Sequence, residues 1–274
     1  MNFANLDRTW IVAEIGVNHE GDEAVASDLI RKAKDAGADA VKFQTFAPEH
    51  YVSTVQPDRL ARVTRFALSH DAFRRLADLA RGLGIVFFST PLGFDDVAFL
   101  EHVAPLFKVS SGDITYLPLI RRIAETGKPM IISTGLGTPD EIREAVNTVL
   151  AVRPSAQTDG SLMLMHCVAA YPTPPGEANL RNLGWLKKSF GLPIGYSDHT
   201  LGIKACELAI AAGAIALEKH FTYRKEDQAF HDHALSADPR DLAELVKAVR
   251  TAETYLGSSD RKSTRLNSSH TDIS

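Results

Sequence analysis

Two histidines lie at the ends of successive predicted strands, where their imidazoles can converge on one ligand. His199 follows the apolar run of residues 194–198, and His220 lies within the run of residues 214–222. Two imidazoles together with water and substrate oxygens suit Mn2+, Mg2+, Co2+ or Fe2+ better than structural zinc, which takes four protein ligands. The alternative for each is a hydrogen-bonded core histidine. In the metal interpretation, Asp198 or Glu218 could orient an imidazole, and both could equally be helix-cap or packing carboxylates.

Lys42 and Lys108 end two other predicted strands and are candidate ligands for an anion. A cation at a water-poor strand end can meet a carboxylate or a phosphate directly. Side chains alternate along a strand, so Lys42 shares a face with Gln44, and Glu218 shares one with His220. The alternative for each lysine is a surface position beyond its strand.

Hydroxyl groups end the neighbouring strands and could add hydrogen bonds to the same anion. They belong to Thr90, Ser111, Ser133 and Thr134. Gly135, which follows directly, lets the backbone approach a ligand closely. A strand that ends in Ser-Thr-Gly is also explained by the capping of the next helix.

Acidic residues offer two further roles. Glu14 ends the first predicted strand and could act as a general base or orient a water molecule. Its alternative is a structural ion pair with a barrel lysine. We interpret the triplet at residues 231–233 as a solvated turn in which Asp232 alone contacts a substrate hydroxyl. His19 and His166 also end strands, but the sequence suggests no partner for them.

Short apolar runs, each followed by a polar stretch with helical periodicity, position these residues. The predicted strands cover residues 10–15, 40–45, 85–90, 106–110, 130–134, 162–167, 194–198 and 214–222. Predicted helices between and after them include residues 94–102, 139–150, 203–212 and 238–256, and Thr138 is a capping residue. Eight such units in about 250 residues favour a closed (β/α)8 TIM barrel over an open sheet. Residues 1–257 form this predicted barrel domain.

Composition excludes several classes of protein. The chain has 274 residues, 45% of them hydrophobic, and a net charge of −4, which leaves no basic footprint for nucleic acid. No run approaches the ~20 apolar residues that span a bilayer, and residues 1–14 do not show the basic-then-apolar pattern of a signal peptide. We therefore expect a cytoplasmic protein with small-molecule partners. Cys167 and Cys206 lie in apolar segments and are predicted to be buried thiols.

Two segments do not fit the repeating units. Residues 46–70 are too long for an ordinary connection and are predicted to form a lid, a binding loop or a disordered insertion. Residues 258–274 have no apolar periodicity and resemble translated vector sequence. We therefore expect them to be a disordered, non-native tail.

The motifs at the strand ends, taken in order, resemble those of the sialic acid synthase family of phosphoenolpyruvate-dependent nonulosonate synthases. The resemblance covers nearly the whole barrel. The matching segments are residues 13–19, 41–45, 89–91, 107–111, 133–135, 166–167, 171–172, 197–200 and 218–222. Each is weak alone, and together they are specific.

The resemblance implies the condensation of phosphoenolpyruvate with open-chain N-acetylmannosamine or a related N-acyl amino sugar. A divalent metal ion, Mn2+ in the first place with Mg2+ or Co2+ as alternatives, would be held by His199 and His220. Glu14 would handle the attacking water, and a homodimer is implied. By the same resemblance, the phosphoenolpyruvate ligands are Lys42, Thr90, Lys108, Ser111, Ser133 and Ser197, and the sugar ligands are Gln44, Tyr171 and Asp232.

The chain departs from the family pattern in two places. Ala169 occupies a position where the family often carries a polar residue, commonly asparagine, so one anion ligand is absent from the pattern. Family members also usually continue into an antifreeze-like domain that contributes an arginine to the partner's site, and this sequence has none. We expect the natural gene to be longer and to have been truncated near Gly257.

Two other functions fit the same residues. Lys42, Lys108 or Lys219 could form a Schiff base in an aldolase of the same barrel class. The barrel could also bind a sugar phosphate without turning it over, as Ala169 and the absent domain would allow. Borohydride trapping with pyruvate would support the first alternative, and binding without turnover would support the second.

Overall fold

The protein is described from a computed structural model. The described residues are 1–226, 230 and 232–257. The predicted non-native tail, residues 258–274, lies outside them, as does His231.

The strands form a closed barrel in which every neighbouring pair is parallel and β8 pairs with β1. The prediction of a (β/α)8 TIM barrel is confirmed. The strands are β1 Trp10–Gly16, β2 Ala40–Thr45, β3 Val86–Pro91, β4 Phe107–Val109, β5 Met130–Ser133, β6 Leu162–Cys167, β7 Ile194–Asp198 and β8 Ala216–His220. β8 is shorter than predicted. The residues that follow it, from Phe221 on, form backbone hydrogen bonds to Glu14 and to a segment later in the chain.

Helices surround the barrel, and four of those in the described residues begin at a side-chain cap. Thr138 and Asp238 each form a capping box, which confirms the predicted start at Thr138. The helices are α1 Glu23–Asp35, α2 Pro48–Tyr51, α3 Pro57–Phe66, α4 His70–Leu83, α5 Phe94–Leu100, α6 Leu117–Glu125, α7 Pro139–Val152, α8 Asn182–Phe190, α9 Lys204–Ala211, α10 Asp232–Leu235 and α11 Pro239–Leu256. Within the described ranges, none is long and apolar enough to cross a membrane.

The barrel interior is divided into an apolar end and a polar end. At the amino ends of the strands, Trp10 stacks on Phe88 with 5.6 Å between ring centroids, and Phe3 is fully buried below Trp10. Four residues further along β1 from Trp10, on the same face, Glu14 begins the polar layer. This division places all chemistry at the carboxyl ends of the strands, as barrel enzymes do.

The long segment after β2 contains regular structure. α2 and α3 each begin with a proline at the first turn, Pro48 and Pro57, where the missing N–H group is harmless. Phe66, at the end of α3, is buried and contacts Phe230 with 5.3 Å between ring centroids. Of the three alternatives, the disordered insertion is therefore wrong, because Phe66 anchors α3 against Phe230. Cys167 and Cys206 are free, buried thiols, as predicted.

Candidate active site

A cavity of about 500 Å3 opens at the carboxyl ends of the strands. Every residue that the family resemblance assigned to substrate or metal lines it, whereas Thr134, a further candidate hydroxyl, lines an adjacent cavity. The assigned residues are Glu14, Lys42, Gln44, Thr90, Lys108, Ser111, Ser133, Tyr171, Ser197, His199, His220 and Asp232. The structure thus brings the predicted residues together, and their individual roles remain predictions.

Two lysines and two glutamates form the floor of this cavity. Lys42 Nζ lies 2.8 Å from Glu14 Oε2 and 3.6 Å from Glu218 Oε1. Lys108 Nζ donates to both Glu218 oxygens at 3.0 and 3.1 Å, and Ser197 Oγ donates to Glu218 Oε1 at 3.0 Å. Both lysine side chains are about 95% buried, which shows the surface alternative to be wrong. Glu14 forms the structural ion pair that was its alternative role.

Burial and neighbouring charges separate the two glutamates of the floor. Burial raises the pKa of Glu14 to about 7, with Lys42 opposing and Glu218 adding to the effect. Burial would also raise the pKa of Glu218, but Lys108 and Lys42 outweigh it and hold that pKa at about 2. With both lysines and both glutamates charged, the floor has no net charge. Because the pKa of Glu14 is about 7, protonation of Glu14 near neutral pH gives the floor one net positive charge.

The two histidine rings face each other above the floor, with 5.2 Å between their centroids. His199 Nδ1 donates to the Val168 carbonyl at 2.7 Å, which leaves Nε2 as the atom with a free lone pair. His220 Nδ1 is buried and, among the described residues, has no hydrogen-bond partner; Asp232 Oδ2 lies 3.8 Å away. Burial lowers the pKa of both imidazoles, and His199 lowers that of His220 further. Both are neutral at physiological pH.

The groups that orient the imidazoles differ from the expectation. Asp198 points to the outer side of the barrel, and Glu218 is engaged by the lysines. Neither contacts an imidazole, so that prediction is wrong; the Val168 carbonyl holds His199 instead. Alternation along β7 explains the result, because His199 and the inward Ser197 have opposite parity to Asp198.

Asp198 forms a buried ion pair that joins the two strands carrying the histidines. Its Oδ2 lies 2.8 Å from Lys219 Nζ, and the side chains are 0% and 1% exposed. The two residues are register partners in β7 and β8, directly before His199 and His220. Lys219 therefore lies outside the cavity, which removes it as a Schiff-base candidate.

The remaining histidines singled out in the sequence form hydrogen bonds within the protein. His166 Nε2 lies 2.8 Å from the Ala178 carbonyl, and His19 Nδ1 accepts the Gly21 N–H at 3.0 Å. His233 is fully buried, and its Nδ1 lies 2.6 Å from Thr222 Oγ1. The interpretation of residues 231–233 as a solvated turn is therefore wrong at His233, which lies in α10.

Residues after β5 serve the barrel wall more than the ligand. Thr134 Oγ1 donates to the Met165 carbonyl at 3.0 Å. Gly135 N donates to Ser111 Oγ at 3.1 Å, and a Cβ at Gly135 would lie 2.9 Å from the same oxygen. Glycine is therefore required there by close approach. Ala169, the departure from the family pattern, lines both this cavity and an adjacent one of about 510 Å3.

The sequence reasoning missed the side of the cavity formed by α2 and α3. Tyr51, Arg59, Arg62 and Phe66 line it, together with Phe230. A signal was available: Pro57 starts a helix, and spacings of three and four residues place Arg59, Arg62 and Phe66 near one face.

A protein-family model, that of the NeuB family, matches residues 29–261 of this sequence. The chain belongs to the NeuB family. It is 40% identical over 269 residues to N,N'-diacetyllegionaminic acid synthase of Legionella pneumophila, covering 92% of this chain and 74% of that protein. It is 37% identical over 265 residues to N-acetylneuraminate-9-phosphate synthase of Mus musculus, covering 91% and 71%.

Solved structures agree with this NeuB membership. The N-acetylneuraminic acid synthetase of Leptospira borgpetersenii, crystallised with citrate, has a TM-score of 0.87 and 32% identity to this chain, covering 93% of this chain and 87% of that one. The resemblance inferred from the motifs is confirmed, and so is the prediction of an enzyme of the synthase type. The named products of the NeuB relatives differ in their amino sugar and in the presence of a phosphate.

Lys219→Met is expected to lower the free energy of unfolding by about 3–5 kcal/mol, because it leaves the buried Asp198 charge without its partner. The double variant with Asp198→Asn should recover part of this loss, since the amide keeps an acceptor for Tyr196 and Thr200. Urea denaturation measures both.

Lys204→Ala is the matched control for this prediction. Lys204 pairs with Glu207 on α9, but its side chain is 74% exposed, so the change should stay within about 1 kcal/mol. A Lys219→Met variant as stable as Lys204→Ala would contradict a stabilising role for the buried pair.

Proposed function

We propose that the protein condenses phosphoenolpyruvate with an open-chain N-acyl amino sugar, such as N-acetylmannosamine, to give a nonulosonate and phosphate. The observation that carries this proposal is the convergence, in one cavity, of a buried lysine floor and two neutral imidazoles. Membership of the NeuB family supports the reaction class. We further propose that the protein acts in the cytoplasm as a homodimer on these small molecules, with no nucleic acid or membrane partner.

The floor is the proposed site of phosphoenolpyruvate. Lys42 and Lys108 are cations in a water-poor setting and would meet its carboxylate and phosphate. Ser133 Oγ is buried and has no hydrogen-bond partner in the described part of the chain, so it can donate to the same ligand. The other proposed ligands are Thr90, Ser111 and Ser197.

His199 and His220 would hold the divalent metal ion, for which Mn2+ is our first candidate and Mg2+ or Co2+ are alternatives. The donors fit such an ion: both imidazoles are neutral, and His220 Nδ1 lacks a hydrogen-bond partner among the described residues. No three His, Cys, Asp or Glu side chains cluster as a metal site within residues 1–226, 230 and 232–257. The coordination would thus remain open to substrate oxygens. When bound, the ion supplies Lewis-acid polarisation of the sugar aldehyde.

The chain's own residues would position the reactants and move protons. Gln44, Tyr171 and Asp232 line the cavity and would contact the sugar. Tyr171 lies beside His199, and Asp232 lies beside His220. The C2–C3 double bond of phosphoenolpyruvate breaks as C3 bonds to the aldehyde carbon, whose oxygen takes a proton from solvent water, and C2 becomes electron-deficient. Water, deprotonated and oriented by Glu14, adds at C2. The C2–O bond to phosphate then breaks, and the new hydroxyl passes its proton to the departing phosphate to leave the 2-keto acid.

A Schiff-base aldolase is the less supported function. Glu14 and Glu218 raise the pKa of Lys42 although burial opposes them, which keeps its amine protonated and unreactive. Burial lowers the pKa of Lys108, but Glu218 pairs with it at 3.0 Å. Lys219 points away from the cavity.

The first test is phosphate release from phosphoenolpyruvate with Mn2+ and a panel of N-acyl hexosamines. We expect chelator-sensitive release, and a loss of turnover of about a hundredfold or more in His199→Ala and His220→Ala, since each removes a metal ligand. His102→Ala, on an exposed residue, is the control. Bound Mn2+ should fall in both active-site variants when measured directly.

Two results would contradict this proposal. Full activity in either histidine variant would remove the metal assignment. Borohydride trapping of a pyruvate adduct, without release of phosphate from phosphoenolpyruvate, would favour the aldolase, and binding without any turnover would favour a non-catalytic barrel.

The second test is the pH dependence of phosphoenolpyruvate binding in the absence of metal. With a Glu14 pKa of about 7, the floor gains a positive charge below that pH and loses it above. The ligand's phosphate, with a second pKa of about 6, keeps its charge from pH 7 to 8.5. Binding should therefore weaken by up to about tenfold over this interval, as measured by calorimetry.

Glu14→Gln provides the control for this dependence. The amide cannot ionise, so the affinity should be nearly constant from pH 7 to 8.5. A dependence that persists in Glu14→Gln, or an affinity that rises with pH in the unmodified protein, would assign the titration to another group.

A further inference from the structure

Two arginines of α3 face the open side of the cavity. Arg59 and Arg62 are three residues apart on the helix, so both side chains reach the same lining surface. Arg65, in the next turn, does not line the cavity, and its guanidinium lies over the Phe66 ring at 5.0 Å. The cavity therefore has a cationic rim in addition to its lysine floor, and α3 holds it.

The charges of the rim and of the floor are balanced differently. On the floor, Lys42 and Lys108 are paired with glutamates. On the rim, Arg59 Nη1 donates to the neutral Gln56 at 3.2 Å, and its guanidinium lies 5.7 Å from the Tyr51 ring centroid. Across the described residues, neither rim arginine forms an ion pair. Two guanidinium groups are thus available to an anion that enters the cavity.

Comparison with the neighbouring helix α4 shows that arginines without an acidic partner in the described structure are a property of the rim. The exposed arginines of α4 have acidic partners: Arg74 Nη1 lies 2.5 Å from Asp71, and Arg75 Nη2 lies 2.7 Å from Glu23. On α3 an acidic residue is present in the first turn, Asp58, yet neither rim arginine pairs with it. The rim therefore keeps its positive charge towards the cavity.

The direction of the substrate identifies which end meets the rim, and this step rests on the proposed function. The aldehyde must lie near His199 and His220 to receive the carbon atom of phosphoenolpyruvate from the floor. The open chain would then extend away from the floor, and we place its last carbon, C6, towards the side that α2 and α3 line. A neutral hydroxymethyl group there would leave both guanidinium groups unused.

We propose that the amino sugar carries a phosphate on C6 and that Arg59 and Arg62 bind it. Guanidinium groups bind phosphate through paired, charge-assisted hydrogen bonds, and each such contact commonly changes affinity by about ten- to a hundredfold. C6 of a hexose becomes C9 when three carbons are added to its aldehyde end. The product is accordingly a nonulosonate that keeps the phosphate on C9.

The test compares kcat/KM for N-acetylmannosamine and its 6-phosphate, at saturating phosphoenolpyruvate and Mn2+. We expect the phosphorylated sugar to be preferred by about tenfold or more. The double variant Arg59→Ala/Arg62→Ala should reduce this preference by about ten- to a hundredfold, mainly through the KM of the sugar phosphate. Arg65→Ala, an arginine on the same helix outside the cavity, is the matched control and should keep the preference.

Other outcomes overturn the inference and are distinct from a failure of the proposed function. Equal losses for both sugars, an unchanged preference, or a parallel rise in the KM of phosphoenolpyruvate would each remove the rim site. Calorimetry with the sugar 6-phosphate decides the matter even if no phosphate is released from phosphoenolpyruvate. In that case the proposed reaction is wrong. Binding of the sugar 6-phosphate that weakens in the double variant, and not in Arg65→Ala, still supports the rim site. Absence of binding overturns the rim site.

Discussion

Four charged side chains packed inside the barrel constrain the rest of the molecule. Lys42, Lys108, Glu14 and Glu218 lie on four different strands, and each would be costly to bury without its partners. Their mutual pairing is possible only if β1, β2, β4 and β8 keep a fixed register. The closed barrel supplies that register, since every strand is held by two parallel neighbours. The same packing that forms the fold therefore maintains a nearly neutral, water-poor floor.

An anion that enters this floor must compete with carboxylates already in place. Glu218 is held ionised by two lysines, whereas Glu14 lies close to its protonation midpoint at neutral pH. Protonation of Glu14 is thus the least costly way for the floor to accept a ligand with several negative charges, and Glu14 must release that proton before it can deprotonate water. The outer Asp198 and Lys219 pair leaves this balance undisturbed because it lies on the opposite face of β7 and β8.

The barrel and the inner face of the site could be predicted from sequence because both depend on a period of two. Apolar runs that end in polar residues mark strand ends, and alternation selects Lys42 with Gln44, or Glu218 with His220. The contacts that could not be predicted are those between elements distant in the chain. His199 is held by a carbonyl of the β6 loop, and α3 is anchored through Phe66 to Phe230; neither contact has a local signature. Every residue has a backbone carbonyl, so residue type does not indicate which carbonyl will accept the hydrogen bond.

The apolar layer at the amino ends of the strands has a consequence for the order of events. Trp10, Phe88 and the buried Phe3 close that end, so ligands reach the floor from the mouth that α3 borders. The floor is the deepest part of this route, and a sugar seated beneath α3 blocks the passage to it. Under the proposed reaction, phosphoenolpyruvate must therefore bind before the sugar. The kinetic mechanism would have a compulsory order of binding because the cavity is closed at its inner end.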